Sequence, residues 1–239
     1  MSGIKEKITK AFKVDLDSEE NQNILKPRTH PFNNQAHQVD KVAEKIAEKI
    51  YKLIEDAKHP NDDTILNHNK IKEAFFSPFE PQLESAQVFL SHSHADKNKA
   101  LKVKDYLESE TKRKVFIDSL FWDYKDNVLN KLAKYDGISK IKDAFTLILR
   151  ESLQDMIEKC PYFVFLQSNN SVSNQGLSRT THSAWVYEEL KIANGLIADS
   201  ALQESRIKAM RVSHNITNLL RRFKPISLDG LCNKIFSTL

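Results

Sequence analysis

The sequence predicts an α/β protein, a parallel β-sheet with helices on both faces, preceded by an N-terminal helical extension. Three observations carry this. From Ser85 onward, short β-prone runs alternate with helical patterns. That order suits a parallel sheet, because the chain must cross back over the sheet between strands. One run, Tyr162–Gln167 (YFVFLQ), is apolar without alternation, as a strand covered on both faces should be. The first 84 residues show helical periodicity broken by proline.

In chain order, the opening residues are polar, and Lys26-Pro27-Arg28-Thr29-His30-Pro31 admits no regular element. Val39, Val42, Ala43, Ile46, Ala47, Ile50, Tyr51 and Ile54 then keep the i, i+3, i+4, i+7 rhythm of an amphipathic helix. His59-Pro60-Asn61-Asp62 ends it. A second helix over Asn69–Phe76 stops before Ser77-Pro78-Phe79-Glu80-Pro81, which marks a domain boundary. Residues 1–84 form the helical extension and 85–239 the α/β domain. In the latter, Ala86–Ser91 is the first strand, followed by a helix from Asp96 to about Ser109 with Ala100, Val103 and Leu107 inward. Lys114–Asp118 is the second strand. A helix over Asp143–Cys160 buries Phe145, Ile148, Leu149, Leu153, Met156 and Ile157. Tyr162–Gln167 is the third strand and Ala184 to about Ala198 the next helix. Ile207–Val212 and Lys224–Leu228 are candidate strands, with a last helix over Leu231–Leu239. In such a sheet ligands bind at the carboxyl ends of strands.

Of the 239 residues, 40% are hydrophobic, enough for a core and too many for wholesale disorder. No apolar run approaches the roughly 18–20 residues of a membrane helix. The opening MSGIKEKITKAFKVDLDSEE has no continuous apolar segment, so neither a secretory leader nor a membrane partner is expected. Cys160 and Cys232 form no CxxC and read as buried thiols of a reducing compartment. A soluble, cytoplasmic protein is expected. The net charge of +4 suits a phosphate-bearing ligand and is too small to demand nucleic acid. Only five glycines occur, none between Ile4 and Asp136, and neither GxGxxG nor a Walker loop is present. A bound nucleotide must therefore be held by some other device.

Two readings compete for Ser91-His92-Ser93-His94-Ala95-Asp96-Lys97. In the first, H-x-H-x-D places two imidazoles and a carboxylate on one turn and binds zinc for hydrolysis. It resembles the metal loop of the metallo-β-lactamase superfamily. Against it, Lys97 stands where that superfamily continues with histidine, and the glycine-rich strands that should precede the loop are missing, so no metal ligand is assigned. In the second, Ser93 caps a helix with Asp96 completing an S-x-x-D capping box, while Ser91, His92 and Ser93 face the crevice beyond the strand.

On the second reading, Phe89-Leu90-Ser91-His92 with Asp96-Lys97, followed by Lys114-Val115-Phe116-Ile117-Asp118, resembles the start of the Toll/interleukin-1 receptor (TIR) domain, particularly its bacterial members. Ser183-Ala184-Trp185-Val186-Tyr187-Glu188-Glu189-Leu190, after the third strand, resembles the W-x-x-x-E-L helix of that family. Ser213-His214-Asn215-Ile216-Thr217 resembles the end of its fourth strand, without the tryptophan. The resemblance spans about Ser85 to Leu239 and implies a flavodoxin-like sheet. Ser119–Lys142 is longer than the family's corresponding loop.

In enzymatic TIR domains the glutamate four residues after the tryptophan is catalytic. The resemblance therefore assigns that role to Glu189, and not to Glu188. It further implies NAD as substrate, Ser91, His92, Ser93, Asp118, Trp122 and Trp185 as substrate-binding, and no separate cofactor. Self-association through the TIR domain or the N-terminal helix, and a role in immunity or cell-death signalling such as defence against phage, are also implied. The chemistry is coherent. Cleaving the nicotinamide–ribose bond passes through an oxocarbenium-like sugar with a cationic leaving group, so one carboxylate that holds the ribose hydroxyls can do most of the work. Many TIR domains instead act as adaptors that only bind other TIR domains, and that alternative stays open.

Overall fold

The structure, a computed structural model, describes residues 10–26, 42–57, 67–80, 84–135, 142–175, 178–197 and 214–237. They divide into two compact units, drawn from Met1–Phe32, Ser85–Asp118 and Met156–Leu239 and from Asn33–Glu84 and Ser119–Asp155.

The first unit is built on a five-stranded parallel sheet flanked by helices. Its strands are β1 (Lys10–Asp15), β2 (Ala86–Ser91), β3 (Lys114–Ile117), β4 (Tyr162–Gln167) and β8 (Lys224–Pro225), in the order β3-β2-β4-β1-β8. A small antiparallel sheet, β5 (Ser173–Gln175), β6 (Ser178–Thr181) and β7 (His214–Asn215), lies in the same unit. The helices are α1 (Glu19–Ile24), α4 (Lys97–Thr111), α7 (Ala184–Leu196), α8 (Thr217–Arg221) and α9 (Leu228–Phe236). Register places Phe89 beside both Phe116 and Phe163. Their rings stack at centroid distances of 5.7 Å on either side, and Phe163 meets Phe223 at 5.5 Å. This row of buried rings is the core on one face of the sheet.

The expected α/β sheet is present, with two departures. Residues 10–15, read as part of the helical extension, form β1 and occupy the place between β4 and β8, pairing Lys10–Asp15 with Tyr162–Gln167. The segment KAFKVD reads as polar because lysines stand at 10 and 13, yet Ala11, Phe12 and Val14 are all buried. Long lysine stems can lie along apolar surface with the charge outward, which lets such a strand enter a sheet. The expected strand over Ile207–Val212 lies outside the described residues. His214-Asn215, read as the end of a fourth sheet strand, instead pairs antiparallel with Thr180–Thr181.

The second unit contains α2 (Ala43–Glu55), α3 (His68–Phe76), and the parts of α5 (Asp118–Leu132) and α6 (Lys142–Lys159) within its range. Ala43, Ile46, Ala47, Ile50 and Ile54 are all buried, so the apolar face of the expected amphipathic helix is already covered within the chain. Val39, its first expected member, lies outside the described residues. Phe75 and Phe79 each meet Tyr124 edge-on, at 5.1 and 5.0 Å. Burial pushes the Tyr124 phenol far above its ordinary pKa. The expected loop after the second strand is in fact helix α5, beginning directly at Asp118. Among the described residues no helix is long and apolar enough to cross a membrane.

Candidate functional site

The chain leaves β2 for β3 on one side of it, whereas β4, on its other side, is followed in the sheet by β8 at the far edge. The direction of winding reverses between β2 and β4. Their carboxyl ends therefore form the topological switch point, where open α/β sheets leave a crevice. Ser91, His92 and Ser93 leave β2 there, with Ser168 directly after β4.

Glu189 reaches this place from α7. That helix starts where it does because Ser183 caps it, accepting from the Val186 amide at 3.2 Å. One turn and a half further on, Glu189 is fully buried, and Ser91 Oγ donates to its Oε2 at 2.5 Å. Glu188, its neighbour, is only half-buried, because adjacent positions on a helix face about 100° apart. The resemblance chose between two adjacent glutamates, and the structure brings Glu189, not Glu188, to the end of β2.

His92 and Asp118 form a second buried pair, with side chains 1% exposed each. The His92 Nε2 lies 2.9 Å from Asp118 Oδ1, although neither atom has a partner in hydrogen-bond alignment among the described residues. The contact is thus chiefly one of charge. Asp118 Oδ2 accepts the His92 backbone N–H at 3.1 Å, and His92 Nδ1 lies 2.6 Å from the Ser93 carbonyl oxygen. Burial acts most strongly on this imidazole and opposes its charge. The Asp118 charge and contact, the Ser93 carbonyl and the Asp96 charge together outweigh it and raise the pKa above the ordinary value. When protonated, the ring donates to the Ser93 carbonyl and faces the Asp118 carboxylate.

Asp96 does not complete a capping box. Ser93 is the cap residue of a short 3₁₀ turn, His94–Asp96, with no side-chain capping bond. The buried Asp96 carboxylate turns instead to the loop after β4, accepting from Ser168 Oγ and, at 2.8 Å, from Asn170 Nδ2. Proximity across two strand ends has outcompeted the local cap. The loop is tied a second time by Asp17, which accepts from the Asn169 amide at 2.9 Å and from Lys99 Nζ at 2.9 Å. The backbone bond from Asn169 is the main reason its pKa is lowered. The polar run Ser168-Asn169-Asn170-Ser171 was the sequence signal for this network, which the motif reading passed over. Asp96→Ala removes the acceptor of the buried Ser168 hydroxyl and of the exposed Asn170 amide and should cost about 1–3 kcal/mol. Thermal unfolding checks this, and a melting temperature unchanged from wild type would contradict it.

The remaining expected residues are less concentrated. Trp185 sits in the first turn of α7 and is half-buried. Trp122, expected in a loop lining the cleft, lies on α5, with Lys125 Nζ 5.1 Å from its ring centroid. The H-x-H-x-D residues do not converge. His94 is exposed, while His92 and Asp96 face the different partners described above. Among the described residues no group of three His, Cys, Asp or Glu side chains could hold a metal. Arg222 donates to the Asn194 and Ile197 carbonyls at 2.7 and 2.6 Å, closing the C-terminus of α7.

The arrangement supplies one buried carboxylate bonded to a hydroxyl, beside a buried imidazole–carboxylate pair, at the switch point of a parallel sheet. No family model matches the chain, and no curated protein or solved structure matches it.

Proposed function

We propose that the chain hydrolyses the nicotinamide–ribose bond of NAD, with Glu189 as the catalytic carboxylate. The observation that supports this best is the complete burial of Glu189 against Ser91 at the exit of β2. A carboxylate is costly to bury, and one shielded from water at the crevice of a parallel sheet is placed to stabilise a developing positive charge. In the proposed step the C1′–N bond breaks and its electron pair leaves with nicotinamide, which departs neutral. The ribosyl cation that forms lies against the Glu189 carboxylate. Water adds at C1′ and loses a proton, giving ADP-ribose; capture by another group of the substrate gives a cyclic product instead. Ser91 holds Glu189 in place, and the His92–Asp118 pair fixes the backbone that carries Ser91. Because Glu189 is closed to solvent, the ribose reaches it only after the β2 exit opens. Self-association is the proposed trigger, and immunity or cell-death signalling the proposed setting.

The same burial favours a second reading, a TIR-type adaptor in which Glu189, Ser91, His92 and Asp118 only hold the β2 exit rigid. Incubating the purified protein with NAD, dilute and crowded, separates the two. Nicotinamide release that rises with crowding supports the enzyme. No release under either condition supports the adaptor.

A further inference from the structure

A different part of the first unit carries an independent inference. The carboxyl ends of β1, β4 and β8 surround a pocket of about 600 Å³ lined by Lys13, Asp15, Glu20, Gln167, Arg179 and Ile226, among others. None of Ser91, His92, Ser93, Asp118 or Glu189 lines it. Its volume is that of a small-molecule site.

Its charges are arranged for a ligand. Lys13 lies on β1 and Arg179 on β6. Burial, and then the like charge of Arg179, lower the Lys13 pKa. The Lys13 ammonium donates to the Leu220 carbonyl at 3.3 Å. Among the described residues no carboxylate forms an ion pair with either cation. Holding two cations together without a counter-ion is unfavourable, and a phosphate offsets it with charge-assisted hydrogen bonds. Two first-turn amides of α9 are already satisfied, Leu228 by Asn21 Oδ1 and Gly230 by Ser227 Oγ, and of the pocket-lining groups the two cationic side chains are the ones fitted to a phosphate. Asp15 and Glu20 also line the pocket and disfavour a bare anion, but they accept from hydroxyls. Pro225 and Ile226 add an apolar wall.

We propose that this pocket is a binding site for a phosphorylated nucleoside, its phosphate on Lys13 and Arg179, its sugar hydroxyls on Asp15 and Glu20, and its base against Pro225 and Ile226. The proposal does not rest on the reading of Glu189. The test is calorimetric titration of the purified chain with AMP, adenosine and inorganic phosphate, for wild type, Arg179→Gln, Lys13→Gln and Glu189→Gln. Arg179 is partly exposed, so its replacement leaves the fold intact, which an unchanged urea midpoint confirms. AMP should bind more tightly than either adenosine or phosphate. Arg179→Gln should weaken AMP by about tenfold or more, Lys13→Gln should act in the same direction, and Glu189→Gln should leave AMP affinity unchanged. Absence of AMP binding, adenosine binding as tightly as AMP, or undiminished affinity in Arg179→Gln overturns the proposal. Loss of AMP binding in Glu189→Gln alone would place the nucleotide at the β2 exit and overturn it as well.

Discussion

Asp118→Ala should cost the first unit about 3–5 kcal/mol of folding free energy, a large part of the roughly 5–15 kcal/mol that holds an ordinary domain together. The reason is the position of the pair. Both side chains are almost wholly out of water, and the Asp118 charge raises the pKa of the His92 imidazole against the opposing effect of burial. Removing the carboxylate leaves a buried imidazole without its counter-charge and the His92 backbone N–H without its acceptor. Asp118→Asn keeps a group able to accept that N–H and should cost less. Urea unfolding measures both. A loss under about 1 kcal/mol for the alanine variant would show the pair to be worth no more than a surface ion pair.

The same pair sets a pH dependence. His92 has its pKa raised in the folded state, so between the ordinary value near 6.5 and the folded value the native protein binds more protons than the unfolded chain. The stabilisation is complete below the ordinary value and is lost as pH rises through the folded one. In Asp118→Asn burial acts with less opposition, so this residue's contribution to the pH dependence shrinks. Urea midpoints across this range for wild type, Asp118→Asn and His92→Gln resolve the contribution. A wild-type profile identical to that of His92→Gln would contradict it.

Glu189→Gln should lower nicotinamide release by about 10²–10³-fold, the usual cost of removing a group that stabilises transition-state charge. The amide keeps the volume of the carboxylate and an oxygen for the Ser91 hydroxyl, so the fold should survive. Glu189→Ala removes the charge, leaves Ser91 Oγ without its acceptor, and opens a cavity at a fully buried position. It should lose activity equally and stability as well, by about 1–3 kcal/mol. The glutamine variant therefore separates charge from packing.

How far the sequence discloses this protein depends on which forces leave a periodic trace. Ala86–Ser91 and Tyr162–Gln167 are read with the bounds the structure has, because each is a short β-prone segment around a buried apolar run, VFL in one and YFVFL in the other. Glu189 is legible only through its resemblance to a motif; periodicity alone does not separate it from Glu188. β1 is hidden because lysines at 10 and 13 mask the apolar residues between them, and because its partners lie about 150 residues away in β4. The Asp96 network escapes for a similar reason. A local cap and a long-range bond to Ser168 and Asn170 draw on the same carboxylate, and nothing in S-x-x-D says which wins. The Lys13–Arg179 pocket depends on β1 and β6 being in one unit, which no local pattern encodes.

The most direct test of the central claim is the rate of nicotinamide release from NAD by crowded wild-type protein and by Glu189→Gln, at matched folded fraction from their urea midpoints. Release by wild type, with a fall of about a hundredfold or more in the variant, is the expected result. Equal rates in the two proteins would show that the carboxylate behind Ser91 takes no part in the chemistry.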